Sequence, residues 1–142
     1  MSLAGAALAT RYARQIALKS IGVAGQQKLL HSAIAVPGLG PAPALTARYL
    51  VAAGVGRCFT DACGATALEA LNPGPEVAPL SEADASTPRA THRSEQAAQL
   101  SSLSADPGPL LPEILGALAA TEALLDLLEL SAPVEQPENS TP

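Results

Sequence analysis

Large aromatic side chains are scarce in this sequence. Its 142 residues contain no tryptophan, one phenylalanine and two tyrosines, so aromatic residues make up only 2% of the chain. Apolar residues reach 48%, but much of that share is alanine, which buries little area per residue. The length is that of one domain, and we expect its hydrophobic core to be thin.

Cysteine is almost absent as well. Cys58 and Cys63 are the two cysteines of the chain, with four residues between them. This spacing matches no common zinc or redox motif, and no distant cysteine pair could complete a metal site. We interpret both as reduced thiols of a cytoplasmic protein, and we expect no bound metal.

The chain also lacks the features of an exported or membrane protein. Its first ten residues, MSLAGAALAT, are mildly apolar but carry no basic residue, so they do not resemble a secretory signal. A later apolar stretch, Leu110 to Leu130, contains four acidic residues, which are too costly for a helix that spans a bilayer. We therefore expect no membrane partner, and at a net charge of −5 we expect no nucleic-acid partner.

Charge is divided unevenly along the chain. Residues 1–62 carry a net charge of +5, whereas residues 63–142 carry −10. The two halves could therefore attract each other, or each could attract the opposite half of a second copy of the chain.

The chain is organised around residues 33–61. A short apolar run, Ala33 to Val36, is followed by a glycine turn, by a helical pattern that stops at Gly54, and by a second short run, Cys58 to Thr60, that ends at Asp61. This order predicts a strand, a turn, a helix and a second strand.

The glycine turn has features of a phosphate-binding loop. Gly38 and Gly40 permit the positive φ and the close backbone approach that a phosphate at a helix N-terminus requires. Asp61, about 20 residues further on, stands where an acid would hold a ribose hydroxyl. The match is partial, because Pro43 replaces the third glycine of the motif, and Pro41 and Pro43 both lack a backbone N–H. The turn predicts a βαβ unit and leaves nucleotide binding as a candidate.

Shorter elements flank this unit. The sequence predicts helices over residues 10–19, with Thr10 as the N-cap, and over residues 26–31. It predicts another helix over residues 66–71 and a third short strand over residues 76–80.

The composition divides the chain into four parts. Residues 1–80 hold the N-terminal helices and the βαβ unit, and residues 81–109, rich in Ser, Thr, Pro and acidic residues, are predicted to be a linker. Residues 110–130 are predicted to form a long amphipathic helix that packs on the same domain, and residues 131–142 a disordered tail. The apolar positions that define the long helix are Leu111, Ile114, Leu115, Leu118, Leu125 and Leu128.

Several motifs, in the same order along the chain, resemble those of one enzyme family. Within residues 10–61, the motifs RYARQI, GLG and AGVGR resemble the opening of the ThiF/MoeB/HesA family. These are the sulfur-carrier adenylyltransferases, which are similar to ubiquitin-activating enzymes. Two shorter matches follow. ALNP at residues 70–73, with Val77 and Leu80, resembles the end of a helix and the third strand of the same family, and the stretch over residues 116–124 resembles its helix after the crossover.

The resemblance implies an α/β fold, a reduced Rossmann-like unit with a short parallel sheet of two or three strands covered by helices. It also implies ATP-dependent adenylation of the C-terminal glycine of a ubiquitin-like sulfur-carrier protein, on a dimer in which an N-terminal arginine reaches the partner's ATP. By motif position Arg14 is that arginine, acting in trans, and the alternative for Arg14 is a solvated helix face. Gly38 and Gly40 would then hold the nucleotide, with Asp61 one residue out of register as the ribose ligand.

The chain departs from the family where phosphates and metal are held. Nine residues lie between Asp61 and Leu71, where the family has a much longer segment with an arginine and a lysine on the phosphates, and residues 63–70 contain neither. The magnesium-binding aspartate, the paired zinc CxxC motifs and the crossover-loop cysteine also have no counterpart in residues 81–109. Because adenylyl transfer depends on such charges, we expect no independent catalysis.

The sequence leaves three functions open. The first is an internally shortened, truncated member of the family that acts as a dimerisation or regulatory partner. It would pair with a second copy of itself or with a full-length relative, and the alternative is that it persists as a decayed remnant. The second is residual ATP binding or adenylyltransferase activity toward a sulfur carrier, although no cofactor is certain. The third is a helical interaction module built on residues 110–130. In each case we expect the isolated chain not to be a stable monomer, because its core is thin.

Overall fold

The computed structural model describes residues 3–91 and 111–130. They form an α/β unit in which a three-stranded parallel sheet is flanked by helices, which confirms the predicted reduced Rossmann-like class. Residues 92–109 of the predicted linker and the predicted tail lie outside the described residues. The elements are α1 (Leu3–Arg11), α2 (Ala13–Ile16), α3 (Gly22–Leu30), β1 (Ala33–Val36), α4 (Pro41–Ala53), β2 (Arg57–Thr60), α5 (Ala65–Leu71), β3 (Glu76–Ala78), a 3-10 helix (Leu80–Glu82) and α6 (Leu111–Leu127).

The sheet holds β1, β2 and β3 side by side in that order, all parallel. Val36 pairs with Thr60, so β1 and β2 end at the same edge of the sheet. Parallel neighbours need a crossover connection, and α4 and α5 supply the two crossovers. The third strand is shorter than the predicted 76–80, because it ends at Ala78 directly before Pro79, which cannot donate a ladder hydrogen bond.

A further segment lies along the free edge of β1. The N–H of Ala35 donates to the carbonyl oxygen of Pro88 at 2.8 Å, and the N–H of Ala90 donates to that of Ala35 at 2.8 Å. Residues 88–90 therefore lie beside β1 in the place that the fourth strand takes in the Rossmann strand order 3-2-1-4-5-6. These residues belong to the segment predicted as a linker, and Ala90 is buried.

The larger apolar cluster lies between the sheet and the helices. Helices α4 and α6 form the most extensive contact between two helices in the described residues. The larger buried side chains of this cluster are Leu29, Ile34, Val36, Leu50, Val51, Val55 and Leu68.

Helix α6 packs against α4 through small residues. Ile114 and Leu125, which the sequence analysis counts among the residues that define the packing helix, are instead 45% and 38% exposed. Gly116 allows the close approach, because a Cβ atom there would lie 2.7 Å from the carbonyl oxygen of Ala42 in α4. The buried residues of α6 are Leu115, Gly116, Ala119, Ala120 and Ala123.

No helix in the described ranges is long and apolar enough to cross a bilayer.

The opposite face of the sheet carries a smaller apolar cluster. Ala35, Phe59 and Ala78 are buried there, and Leu80 and Ala83 pack against them. A parallel sheet needs cover on both faces, and among the described residues the 3-10 helix and the residue that follows it provide part of that cover.

The N-terminal helices differ from the prediction. The single helix predicted over residues 10–19 is wrong, because α1 ends at Arg11 and α2 is a separate turn from Ala13 to Ile16. Thr10 is not an N-cap. It lies inside α1, and its Oγ1 donates to the carbonyl oxygen of Ala6 one turn earlier, at 3.0 Å.

Tyr12, between α1 and α2, connects these helices to the rest of the fold. Its side chain is buried, and its hydroxyl oxygen accepts a hydrogen bond from Nδ2 of Asn72 at 2.7 Å. The same nitrogen donates to the carbonyl oxygen of Val51 at 2.8 Å. One buried amide thus links the N-terminal helices, α4 and the end of α5.

Candidate nucleotide-binding crevice

A crevice opens at the carboxyl edge of the sheet, between β1 and residues 88–90. These two segments lie on either side of the point where the strand order reverses, which is where open α/β sheets bind ligands. The crevice has a volume of about 360 Å³. The residues that line it are Pro37, Gly38, Leu39, Ala42, Pro43, Thr46, Ala90, Thr91 and Ala119.

The predicted glycine turn forms one wall of this crevice. Gly38 has φ +99° and Gly40 has φ +103°, a backbone conformation that residues with a Cβ atom rarely adopt. Gly40 directly precedes α4 and is its N-cap residue. The turn therefore leads the chain from β1 into the N-terminus of a 13-residue helix, the place where a phosphate would be bound.

That helix N-terminus offers few hydrogen-bond donors. Pro41 and Pro43 occupy the first and third positions of α4 and have no N–H. The N–H of Ala44 already donates to the carbonyl oxygen of Gly40 at 3.2 Å. Among the first three helical positions, Ala42 alone keeps a backbone donor.

The side chains of the crevice add no charge. None of the residues that line it is acidic or basic, and Thr46 carries a hydroxyl that is already engaged. Its Oγ1 lies 2.9 Å from the carbonyl oxygen of Ala42 and 3.0 Å from that of Gly116. The lining residues can therefore offer shape, apolar surface and a few backbone groups, but none of them is a cation for a phosphate.

Asp61 lies at the same edge of the sheet but does not line the crevice. It follows Thr60, the last residue of β2, and its side chain is exposed. Its Oδ1 accepts a hydrogen bond from the N–H of Leu80 at 3.2 Å. The carboxylate thus holds the start of the 3-10 helix.

Arg14 is far from the crevice in its own chain. It is exposed on α2, beside Tyr12, whose ring lies against Gly54 at the C-terminal end of α4. The glycine turn is at the other end of that helix, about 20 Å away at ~1.5 Å per residue. The structure therefore does not bring Arg14 together with Gly38 and Gly40 within one chain.

A polar cleft beside the crevice holds residues that the sequence analysis missed. Arg89, Glu122 and Asp126 line a cavity of about 140 Å³ between residues 89–91 and α6. Because the cleft and the crevice share Ala90, Thr91 and Ala119 as wall residues, Arg89 is a cation next to the crevice, accompanied by two carboxylates. Arg89 lies in a stretch of linker composition, and no local pattern marks its bridge to β1.

The two cysteines lie near each other but form no site. Cys58 is buried on β2, and Cys63 is half-buried against the same apolar cluster. Burial, with a smaller contribution from the nearby Cys63, raises the pKa of Cys58 to about 12. Burial also raises the pKa of Cys63, although the charge of Arg48 opposes that shift. Within residues 3–91 and 111–130 no three potential metal ligands come together.

Known proteins match part of the chain. Over 47 residues, 33% of this chain, it is 51% identical to the adenylyltransferase and sulfurtransferase MOCS3 of Aedes aegypti, of which the match covers 11%. The protein of the same name from Drosophila yakuba is 49% identical over 47 residues, 33% of this chain and 10% of that protein. The one from Drosophila persimilis is 48% identical over 46 residues, 32% of this chain and 10% of that protein.

No family model matches the chain. The matched part spans about a tenth of the length of these curated relatives. The similarity supports a distant and partial relationship with a ThiF/MoeB-type enzyme.

Proposed function

We propose that this protein is an internally shortened relative of the ThiF/MoeB-type adenylyltransferases that acts by associating with a protein partner rather than by catalysis. The observation that supports this is the composition of the crevice, where none of the residues that line it is charged. Adenylyl transfer requires cations on the triphosphate, and a helix N-terminus with two prolines supplies few donors instead.

The partner is a second copy of this chain or a full-length relative. The strong division of charge, +5 in residues 1–62 and −10 in residues 63–142, favours contact between unlike halves of two chains. The thin core also favours association, because a partner adds buried apolar area. In this role the protein serves as a dimerisation or regulatory subunit.

Residual nucleotide binding is the second candidate, and the backbone of the glycine turn favours it. Gly38 and Gly40 keep positive φ at the start of α4, and the crevice lies where α/β sheets bind ligands. An ATP bound there would rest on backbone groups and would still lack the charges for catalysis. Its chemistry toward a sulfur-carrier protein would therefore be slow or absent.

A pyrophosphate-release assay and an ATP titration separate the two candidates. The full chain is incubated with ATP, magnesium and a small ubiquitin-like carrier that ends in Gly-Gly, and an active adenylyltransferase with the same carrier serves as the positive control. We expect no pyrophosphate release above the rate without protein. Release that depends on both ATP and carrier would overturn the proposal, whereas calorimetric binding of ATP without release would favour the second candidate.

A further inference from the structure

The 3-10 helix and the two residues that follow it have an inner and an outer side. On the inner side, Leu80 and Ala83 pack against the smaller apolar cluster of the sheet. On the outer side, Ser81, Glu82 and Asp84 are exposed. The segment therefore covers part of the sheet and presents one hydroxyl and two carboxylates to solvent.

This outer side lies in a part of the chain that has no basic residue. Between Arg57 and Arg89 the sequence contains five acidic residues and no lysine or arginine. Glu82 follows Ser81 directly, and Asp84 stands three residues after it. A protein kinase with a basic substrate groove selects a serine by acidic neighbours of this kind, because the two charge patterns are complementary.

We propose that Ser81 is a phosphorylation site for a kinase that selects serines followed by acidic residues, and that the phosphate releases the 3-10 helix from the sheet. The kinase transfers the γ-phosphoryl group of ATP to Oγ of Ser81, the hydroxyl proton passes to the kinase's catalytic base, and ADP leaves. The neutral serine thereby gains a charge of about −1.5 to −2 at pH 7. This inference is independent of the associating role proposed above.

The phosphate would be close to the carboxylate that holds the 3-10 helix in place. Oδ1 of Asp61 accepts a hydrogen bond from the N–H of Leu80 at 3.2 Å. Ser81 is the next residue, so the two anions would lie within about one Debye length, ~10 Å, of each other. A phosphate beside carboxylates disrupts the local structure by like-charge repulsion. The contact that Asp61 makes would therefore weaken.

Few groups in this segment could hold the phosphate instead. The N–H of Leu80 is already bonded to Asp61. The N–H of Glu82 donates to the carbonyl oxygen of Pro79 at 3.0 Å, and that of Ala83 donates to the carbonyl oxygen of Leu80 at 3.1 Å. With no basic residue in this part of the chain, repulsion outweighs attraction. Release of the helix would uncover the smaller apolar cluster, because two of the side chains that pack against it would leave.

Treatment of the full, folded chain with such a kinase, ATP and magnesium tests the site. Mass spectrometry should locate a phosphate on Ser81, and Ser81→Ala should abolish it. The double variant Glu82→Gln with Asp84→Asn should be modified at Ser81 more slowly by about tenfold or more, because the selecting charges are gone. Ser86→Ala is the matched control, at an exposed serine with no acidic residue in the three positions after it, and it should be modified like the parent.

Two results of this assay would overturn the site. One is a chain that accepts phosphate on Ser81 only after denaturation. The other is a double variant that is modified at Ser81 as fast as the parent chain, because the acidic neighbours would then have no part in selection.

Amide hydrogen exchange followed by NMR tests the release. Phosphorylation should speed the exchange of the Leu80 N–H by about tenfold or more, and added salt should reduce the effect. Asp61→Asn is the matched variant, because its side-chain oxygen still accepts the N–H of Leu80 but carries no charge. Phosphorylation should change the exchange of that variant much less. Equal acceleration in both proteins, or none in the parent, would contradict release by charge repulsion.

Discussion

At the scale of single residues, the fold depends on a small polar cluster at the C-terminal end of α4. The hydroxyl of Tyr12 and the amide of Asn72 are hydrogen-bonded in a buried site, and Nε2 of the buried Gln26 donates to the carbonyl oxygen of Ala53 at 3.2 Å. Buried polar groups are costly unless they are paired, so the cluster fixes how the N-terminal helices sit on α4. Gly54 lies directly against it.

Gly54→Ala should destabilise the protein by about 2 to 4 kcal/mol. Gly54 has φ +91°, and a Cβ atom there would lie 2.6 Å from Cζ of Tyr12. The loss is measured as the free energy of unfolding in a urea titration. Gly64→Ala is the matched control, because φ there is −65° and no atom lies within 4 Å of the added Cβ. An equal loss in both variants would contradict the assigned packing of Tyr12.

The two cysteines should differ in reactivity in the folded protein. The thiolate is the form that alkylating agents attack, and a pKa raised from 9.0 to about 12 lowers the thiolate fraction of Cys58 at pH 8 by about a thousandfold. Mass spectrometry after iodoacetamide treatment should find Cys63 modified slowly, and faster as the pH rises. Cys58 should be modified only after urea is added. Modification of Cys58 at the rate of Cys63 in the native protein would show that β2 opens readily.

At the scale of elements, the packing of α6 on α4 is set by Gly116. Its position allows the two backbones to approach closely, and Thr46 completes the contact by placing its hydroxyl 3.0 Å from the carbonyl oxygen of Gly116. Such a contact has no room for a larger side chain.

Gly116→Val should therefore separate the two helices and cost about 2 kcal/mol or more, although valine favours the helix over glycine. The added Cβ atom alone would lie 2.7 Å from the carbonyl oxygen of Ala42 and 3.0 Å from Cβ of Leu45. Thermal unfolding followed by circular dichroism measures the loss. Ala117→Val introduces the same side chain at the next, half-buried position of α6 and should change the midpoint much less. If Ala117→Val proved the more harmful of the two, the orientation of α6 would be wrong.

The βαβ unit could be predicted because each of its boundaries has a local signal. Gly40 starts α4 and Gly54 ends it, and the short strands on either side are apolar. The buried face of α6 could not be predicted in the same way, because leucines and alanines surround the whole helix and its apolar period does not select one side. The choice is made by Gly116, through contact with a helix far away in sequence.

One wall of the candidate site could be predicted from the sequence, whereas the other depends on a contact between residues that are far apart in the chain. The positive φ of Gly38 and Gly40 depends on the residues themselves, so the glycine turn is readable from the sequence. The second wall of the crevice depends on the bridge between Ala35 and Arg89. That bridge pairs distant segments and has no side-chain signature, so neither Arg89 nor the polar cleft beside the crevice could be found without the fold.

At the scale of the whole molecule, the chain combines a small core with exposed apolar side chains on α4 and α6. The largest apolar side chains fully buried among the described residues belong to one tyrosine, one isoleucine, three leucines and three valines, whereas Tyr49 of α4 and Ile114 and Leu125 of α6 remain exposed. Covering those three side chains would bury apolar area that the monomer leaves in water. The free energy of folding and that of association are then linked.

This linkage predicts that the midpoint of thermal unfolding rises with protein concentration. If two chains dissociate as they unfold, raising the concentration from about 1 to about 100 μM stabilises the native dimer by mass action, by about 2.7 kcal/mol. Differential scanning calorimetry across that range should show a rise of several degrees in the midpoint. A parent midpoint that stays constant, with a cooperative transition, would mean that the thin core suffices for a stable monomer.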